Sequence, residues 1–442
     1  MLRRVGQEVN EEGVKTRFRE ASFPMPFQEG LEYSSPARGN WNIVHTGMLI
    51  PQSHQIFVCA QGCLRGVVLT AAEMNALDRY SAVEIREENV LDGTMEELMI
   101  EGVADVLKKL KYRPRAVLLF ISCQHFFLAY DQELVFQTLR ERFPDIRFAD
   151  CYMIPTLRKS GLTPDQKMRI QLYSMLEPMT PDPKKVNLIG SNHAINKTSE
   201  IISLLSSHGY EIQSLNSCQT FDDYLAMAEG SLNLLYEPLA LAAGKDLEKR
   251  LGQKFLYLPF VFDFQQIEKN YRMLAKTLGI PAPDDALLQE KARQELAKTR
   301  EVLGDTAIAV DYTFTFRILS FTRMLLENGF HVTELYADAF LPEEQEDFLW
   351  IQERFPELMV SSTNRPKMRF LKRERQGKTL AIGQKAAYFT GTDYFVNLVE
   401  SGGLYGYDGI VQIAEMMREA YEKPKDRKTL IQRKGYGCES CI

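Results

Sequence analysis

Cysteine side chains carry the clearest chemical signal in this sequence. Cys59, Gly62 and Cys63 lie close together, and Cys123 follows sixty residues after Cys63. Three thiolates that converge at strand ends could hold three irons of a 4Fe–4S cluster. A glycine among them would let the backbone approach a bound group closely. We therefore predict a metal-cluster cradle formed by Cys59, Gly62, Cys63 and Cys123.

The same cysteines also have a simpler interpretation. A cysteine after a buried strand is often a small core residue with no chemical role. Cys59 and Cys63 are four positions apart across a glycine turn, so they need not reach the same metal. Cys63 and Cys123 are the firmer pair. Arg65 could compensate the charge of a cluster or could equally be a solvated surface arginine.

The elements that must position these thiols alternate between strand and helix. Gln55–Val58 is predicted to be a short strand, and apolar residues at helical spacing from Leu64 to Ala72 predict a helix after Cys63. The apolar run Ala116–Ile121 predicts a buried parallel strand that ends just before Cys123. Because ligands in open α/β sheets bind at the carboxyl ends of strands, both thiols are expected where a ligand would bind.

The alternation continues along the chain and predicts an α/β protein with parallel sheets flanked by helices. Thr94 and Glu97 form a capping box that predicts a helix start. The predicted organisation is an N-terminal arm at residues 1–40, three α/β domains at 41–180, 181–285 and 286–421, and a basic tail at 422–442. The arm is polar and irregular, and we expect it to wrap another segment or to stay mobile.

Composition and charge exclude several classes of protein. The chain has 442 residues, which is long for one domain. Its net charge of −6 is spread over residues of both signs, which argues against a nucleic-acid binder. No apolar run approaches the roughly 18 residues of a membrane span, and no secretory signal is visible. We therefore expect a cytoplasmic protein whose seven cysteines do not form a disulfide framework.

The remaining cysteines have weaker signatures. Cys438 and Cys441 form a CxxC in the tail, which suits a metal or a redox disulfide, including a redox-sensing role. A flexible end with incidental thiols explains that spacing equally well. Cys151 and Cys218 are isolated and are expected to be structural. Three of the six histidines flank the cysteine region and could line a pocket: His45, His54 and His125.

The ensemble of motifs resembles the nitrogenase component 1 family. Each motif is weak alone, but together they occur in the family's order over about residues 40–420. The resemblance implies three Rossmann-like domains and a paired second subunit of the same type, identical or paralogous. The motifs are Gln61-Gly62-Cys63, the helix after Glu88–Gly93, the strand before Ser122-Cys123, Val186–Gly190, Leu232–Leu234 and Gly402–Gly409.

For the site, the resemblance implies an iron–sulfur cluster at a subunit interface, held by Cys63, Cys123 and a further cysteine. In the nitrogenase subunits that further cysteine lies well upstream, whereas residues 1–58 contain none here, so Cys59 is the nearby substitute. This difference favours a 4Fe–4S cluster over an eight-iron cluster. The resemblance also implies an ATP-dependent iron–sulfur reductase as electron donor, and the chain itself carries no Walker A sequence.

Two departures concern the second metal site of the family. The catalytic nitrogenase subunit has a cofactor cysteine shortly after its Leu-Asn-Leu strand, where this chain has Tyr236-Glu237. That subunit also has a cofactor histidine before the last glycine-rich segment, and Ala386–Ser401 contain no histidine here. We therefore do not expect N2 reduction on this chain. The open roles are a reductase subunit of unknown substrate, a non-catalytic scaffold for metallocluster assembly, and a binding homologue without a cluster.

Overall fold

The computed structural model of the protein describes residues 11–28, 30, 43–154, 161–371 and 377–430. The tail thiols Cys438 and Cys441 lie outside these ranges. In chain order the strands are β1 Lys15–Arg17, β2 Ser53–Cys59, β3 Tyr80–Glu84, β4 Ala116–Ser122, β5 Arg147–Met153, β6 Asp182–Ile189, β7 Glu211–Ser214, β8 Gly230–Leu235, β9 Lys254–Tyr257, β10 Ala307–Asp311, β11 Val332–Tyr336, β12 Met359–Ser361, β13 Thr379–Ile382 and β14 Phe395–Val396.

The helices surround these strands and alternate with them along the chain. They are α1 Ile43–Gly47, α2 Gln61–Glu73, α3 Glu87–Leu91, α4 Met95–Lys109, α5 Cys123–Phe127, α6 Gln132–Arg142, α7 Pro164–Gln171, α8 Glu200–Ser207, α9 Phe221–Ala226, α10 Leu241–Leu251, α11 Phe264–Leu278, α12 Ala286–Leu303, α13 Ile318–Glu327, α14 Gln345–Arg354, α15 Gln384–Thr390, α16 Gly406–Glu422 and α17 Arg427–Leu430.

The described chain divides into two compact units. The double-sheet unit comprises the described residues of Asn40–Ala194 and Leu205–Pro259. The six-stranded unit comprises Ile195–Leu204 and the described residues of Met1–Gly39 and Phe260–Ile442. The predicted α/β fold class with parallel sheets is confirmed, while the three domain boundaries proposed from the sequence stay a prediction.

The first sheet of the double-sheet unit has the strand order β3-β2-β4-β5, and all its pairs are parallel. Every residue of β2 and β4 is buried, which explains the unbroken apolar run from Ala116 onward. One face, with Ile56 and Leu119, packs against apolar residues of α4 and α6. The opposite face, with Phe57 and Phe120 stacked at 4.2 Å, belongs to a different core.

The second sheet has the order β7-β6-β8-β9 and is also parallel. Its apolar residues, including Ile189 and Leu235, share a single core with Phe57 and Phe120 of the first sheet. This shared core explains why the two four-stranded sheets belong to one compact unit.

The six-stranded unit contains the sheet β1-β12-β11-β10-β13-β14. Strands β10 to β14 are parallel, and β1 pairs antiparallel with β12 at the edge. Phe18, just after β1, is fully buried. The described part of the predicted arm therefore wraps onto this sheet, which is one of the two behaviours expected for it.

The helix ends show where the capping expected from the sequence occurs and where it does not. Asp263 caps α11 by accepting a hydrogen bond from the Gln266 amide at 2.7 Å, and Gly279 ends it in the left-handed conformation. The predicted capping box at Thr94 is wrong, since the Thr94 side chain makes no cap bond to α4. Its hydroxyl instead accepts a weak 3.4 Å bond from the Asn89 side chain.

Candidate functional site

The first sheet places the two predicted thiols at one edge. Strands β2 and β4 are direct neighbours in parallel register, with Phe57 opposite Phe120. Cys63 lies in the first turn of α2, which follows the carboxyl end of β2. Cys123 is the first residue of α5, which follows the carboxyl end of β4 directly. Both thiols therefore lie beyond the carboxyl ends of adjacent strands, where open α/β sheets bind ligands.

The thiols of this pair are accessible and close enough to influence each other. Cys63 is exposed and Cys123 is half-buried. Partial burial, and then the charge of the neighbouring Cys123 thiol, raise the pKa of Cys63. A metal bound here would have to displace thiol protons, as metals bound by cysteine do generally.

Cys59 differs from this pair. It is fully buried at the end of β2 and belongs to the core shared by the two sheets. Burial, and then the neighbouring Cys63 thiol, raise the pKa of Cys59 to about 12. Its surroundings are those of a core thiol, although it lies near Cys63. Cys151 is likewise fully buried in the shared core.

The first turn of α5 is fixed by side chains on either side of Cys123. The Ser122 amide donates to Nδ1 of His125 at 3.2 Å, and His125 is fully buried. Burial lowers the pKa of His125 to about 4, so its ring is neutral at physiological pH. The ring packs edge-on against Tyr130 at 4.9 Å. The backbone that carries Cys123 is thereby held in place.

Beyond Cys123 the surface becomes strongly apolar. Phe126 is 56% exposed, Phe127 is 69% exposed and Leu128 is 45% exposed. Three consecutive large apolar residues in water are unusual on a chain that acts alone, and such patches mark interaction sites. We call Phe126, Phe127 and Leu128 the apolar ridge.

The remaining predicted residues have less distinctive surroundings. Gly62 lies in the helix α2, and a Cβ there would meet nothing within 4 Å, so the space beside it is open. Arg65 is exposed on the same helix. His54 lies near the amino end of β2, where its ring bonds Tyr112 and Ser81, and thus away from the thiol edge. Within the described ranges, no three Cys, His, Asp or Glu side chains form a group that could hold a metal ion.

The carboxyl edge of the second sheet has a different composition. Tyr236 and Glu237 follow β8, and Glu237 is 2% exposed. Arg169 of α7 is 7% exposed and donates to the Asn192 side chain at 2.8 Å. Arg169 and Asn192 carry no signal in the sequence, because neither belongs to a recognisable motif and only the fold brings them together.

Fold and site together define an α/β protein with thiols at the ligand-binding edge of a parallel sheet. The family model of the nitrogenase component 1 type oxidoreductases matches residues 44–422. The chain therefore belongs to the nitrogenase component 1 type oxidoreductase family, and the resemblance seen in the sequence is confirmed.

Solved structures support the same fold. A structure of nitrogenase Cp1 at pH 6.5 is similar with a TM-score of 0.65 and 13% identity, over 89% of this chain and 94% of that one. A structure of nitrogenase Cp1 at pH 5 is similar with a TM-score of 0.59 and 13% identity, over 94% and 90%. A comparison with curated protein sequences finds no match. Of the helices that the structure describes, none has the length and apolar character needed to cross a bilayer.

Proposed function

We propose that this chain is a subunit of a nitrogenase-like, two-component reductase of the cytoplasm. The observation that carries the proposal is that Cys63 and Cys123 lie beyond the carboxyl ends of adjacent parallel strands, at one edge of the first sheet. The two residues are sixty positions apart in sequence, so only the fold joins them. The family membership gives this arrangement its chemical meaning, since component 1 proteins work through metal clusters.

The thiol pair fits an iron–sulfur cluster as two of its ligands. Cys63 is exposed and Cys123 is half-buried, so both can reach an external group. Cys59 and Gly62 remain candidates for a third ligand and for close backbone approach. When bound, a cluster would accept and pass on single electrons at low potential, and a 4Fe–4S cluster is favoured over an eight-iron one. The chain's own part is to position the thiols.

The other ligands are proposed to come from a second component 1-type subunit, identical or paralogous. The apolar ridge follows Cys123 directly, so a subunit that covers the ridge would also lie beside the thiols. Burying such large apolar side chains is what stabilises lasting protein interfaces. An ATP-dependent iron–sulfur reductase would then supply electrons from outside this pair. The substrate is unknown, and N2 is not proposed.

Iron analysis tests the cluster directly. We expect anaerobically purified protein, with its partner subunit co-expressed, to be brown and to contain iron and acid-labile sulfide. Cys63→Ala and Cys123→Ala should each lose most of the iron. Cys218→Ala is the matched control, because this half-buried thiol donates to the Ser214 carbonyl at 3.4 Å in the second sheet. Unchanged iron in both cradle variants would rule the proposed cradle out.

Two other functions remain distinguishable by experiment. A scaffold for metallocluster assembly would bind a cluster through the same thiols but would reduce no substrate with any reductase. A binding homologue would be colourless even from anaerobic cells. The departures at Tyr236-Glu237 and in Ala386–Ser401, where the family's catalytic subunit has cofactor ligands, are the observations that support these alternatives.

A further inference from the structure

Arg169 is a buried cation for which the described part of the chain supplies no counter-ion. Its side chain retains 7% of its accessible surface. The described residues place no carboxylate within ion-pair distance of it, and its recorded hydrogen bond goes to a neutral group, the Asn192 side-chain oxygen, at 2.8 Å. Burying a charge without a partner of opposite charge destabilises the folded state. An arginine kept under this penalty is expected to serve a purpose other than stability.

Asn192 places an unpartnered donor, its side-chain nitrogen, beside Arg169. Its side-chain oxygen accepts from both Arg169 and the Thr46 hydroxyl, which lies at 3.1 Å. These two donors fix the orientation of the amide, so its NH2 group points away from them. That nitrogen is buried and has no hydrogen-bond partner among the described residues. The Asn192 backbone is held in turn by Asn216, which donates to its carbonyl at 2.6 Å.

The position of this pair in the fold is a ligand-binding one. Asn192 follows the carboxyl end of β6, and Tyr236 follows that of the adjacent strand β8. In the strand order β7-β6-β8-β9 the chain adds β7 on one side of β6 and then adds β8 and β9 on the other side. The topological switch point therefore lies between β6 and β8. Open α/β sheets bind their ligands at such switch points. Glu237 lies at the same edge and has interactions of its own.

We propose that Arg169 and Asn192 bind a carboxylate group of an organic ligand at the switch point of the second sheet. A guanidinium matches the two oxygens of a carboxylate with parallel N–H bonds, and an adjacent amide NH2 can donate to one of the same oxygens. The assignment of this ligand as the substrate rests on the proposed reductase function. It names the substrate class as a carboxylate-bearing organic molecule, held by groups that are separate from the thiol cradle.

Thermal unfolding with citrate as the probe tests the site. Citrate binding should raise the unfolding temperature of the wild-type chain, since a ligand that binds the folded state alone stabilises it. Arg169→Met should abolish the response, and Arg169→Lys, which keeps the charge without the planar fork, should weaken citrate binding by roughly fivefold or more. Without citrate, Arg169→Met should be at least as stable as the wild type, because it removes an uncompensated buried charge.

A purely structural role for Arg169 predicts the opposite pattern. If Arg169 only tethers the loop at Asn192, Arg169→Met would lower the unfolding temperature and leave the citrate response unchanged, which would overturn the proposal. Arg250→Met is the matched control, because Arg250 is a structural arginine that donates to the Leu176 and Tyr173 carbonyls at 2.8 Å each. It should destabilise the protein and keep the response. Equal loss in both variants would also overturn the proposal.

Two further measurements define the ligand class and distinguish this site from the proposed cluster site. Inorganic phosphate at matched ionic strength should stabilise the wild type much less than citrate, and an equal Arg169-dependent effect would overturn the carboxylate assignment. The Cys63→Ser variant should respond to citrate as the wild type does. A normal citrate response in a protein that never binds iron would therefore contradict the reductase proposal and still support the proposed carboxylate site.

Discussion

The carboxyl edges of the first sheet and of the six-stranded sheet use the same position in opposite ways. At the first, Cys63 is exposed and the apolar ridge faces water. At the second, Asp311 at the end of β10 is fully buried and accepts from the amides of Thr313 at 2.7 Å and Ala386 at 2.6 Å. This difference indicates that a polar group at a strand end marks a site only when the rest of the protein does not already use it for hydrogen bonds or packing.

The largest effect is expected at Asp311. Asp311→Ala leaves the buried amides of Thr313 and Ala386 without an acceptor, and each such loss costs about 1–3 kcal/mol. We expect the free energy of unfolding to fall by about 3–5 kcal/mol in urea titrations. The control is Asp305→Ala, an exposed aspartate before β10, which should change it by less than about 0.5 kcal/mol. Equal losses of unfolding free energy in Asp311→Ala and Asp305→Ala would show that Asp311 is not the structural group that this comparison requires.

The next effect is a pH dependence that originates near the same edge. Glu344 accepts from the amides of Leu319 and Ser320, at 2.8 and 3.1 Å, and thereby caps α13. Burial raises the pKa of Glu344 from 4.5 to about 8, although these amides and Arg317 oppose the shift and Asp347 adds to it. Between those values the folded protein keeps the proton and the unfolded chain releases it. Stability should therefore fall as the pH rises through this window.

Glu344→Gln isolates this contribution. The variant cannot ionise, so its stability relative to the wild type should increase with pH, by at most about 1.4 kcal/mol per pH unit between pH 4.5 and about 8. Urea unfolding of both proteins at several pH values measures the difference. A difference that does not change with pH would show that Glu344 is ionised in the folded protein.

A smaller effect separates Cys59, at the end of β2, from Cys63, in the first turn of α2. Cys59→Ser places a hydroxyl in the shared apolar core and should cost about 1–3 kcal/mol in the metal-free protein. Cys63→Ser changes an exposed side chain and should cost less than about 0.5 kcal/mol. Urea titration measures both. If the two substitutions cost the same, Cys63 belongs to the core and the first edge resembles the six-stranded one.

The smallest effect on folding is expected at the apolar ridge. Phe127→Ser should leave the unfolding free energy within about 0.5 kcal/mol of the wild type, because the ring is 69% exposed. Sedimentation velocity of the protein with its co-expressed partner should nevertheless show dissociation. Leu287→Ser on α12, where the side chain is 83% exposed, is the control and should leave the assembly intact. An undisturbed assembly in both variants would place the interface elsewhere.

Much of the fold was predictable because its signals are local. The helix Phe264–Leu278 has the bounds that the sequence indicates, because the Asp263 cap, the apolar periodicity and Gly279 coincide there. The helix Ala286–Leu303 also has the indicated bounds, although the Asp285 side chain makes no cap bond. The helix α15 has no comparable sequence signal, because all of its residues are buried and no polar face gives it a period. The strand β3 has no clear sequence signal because the polar residues Ser81 and Glu84 interrupt its short apolar run.

The residues of the candidate sites also differ in how far the sequence alone predicts them. Cys63 and Cys123 were predictable because a cysteine just after a strand can be recognised one strand at a time, and parallel strands bring such residues to one edge. For Cys59 the sequence leaves both a ligand role and a core position open, because its burial depends on the second sheet packing over the first. The proximity of Arg169 and Asn192 could not be predicted for the same reason. Their meeting requires α7 and the loop after β6 to come together in space.

The strand β1 has a practical consequence for anyone who trims this protein. Its three residues cover the outer backbone of β12 by antiparallel pairing. A shortened chain that begins after Arg17 would uncover a row of amide and carbonyl groups on β12, and bare strand borders of this kind recruit other chains and promote aggregation. Truncations meant to improve solubility by removing the polar beginning should therefore stop before Lys15.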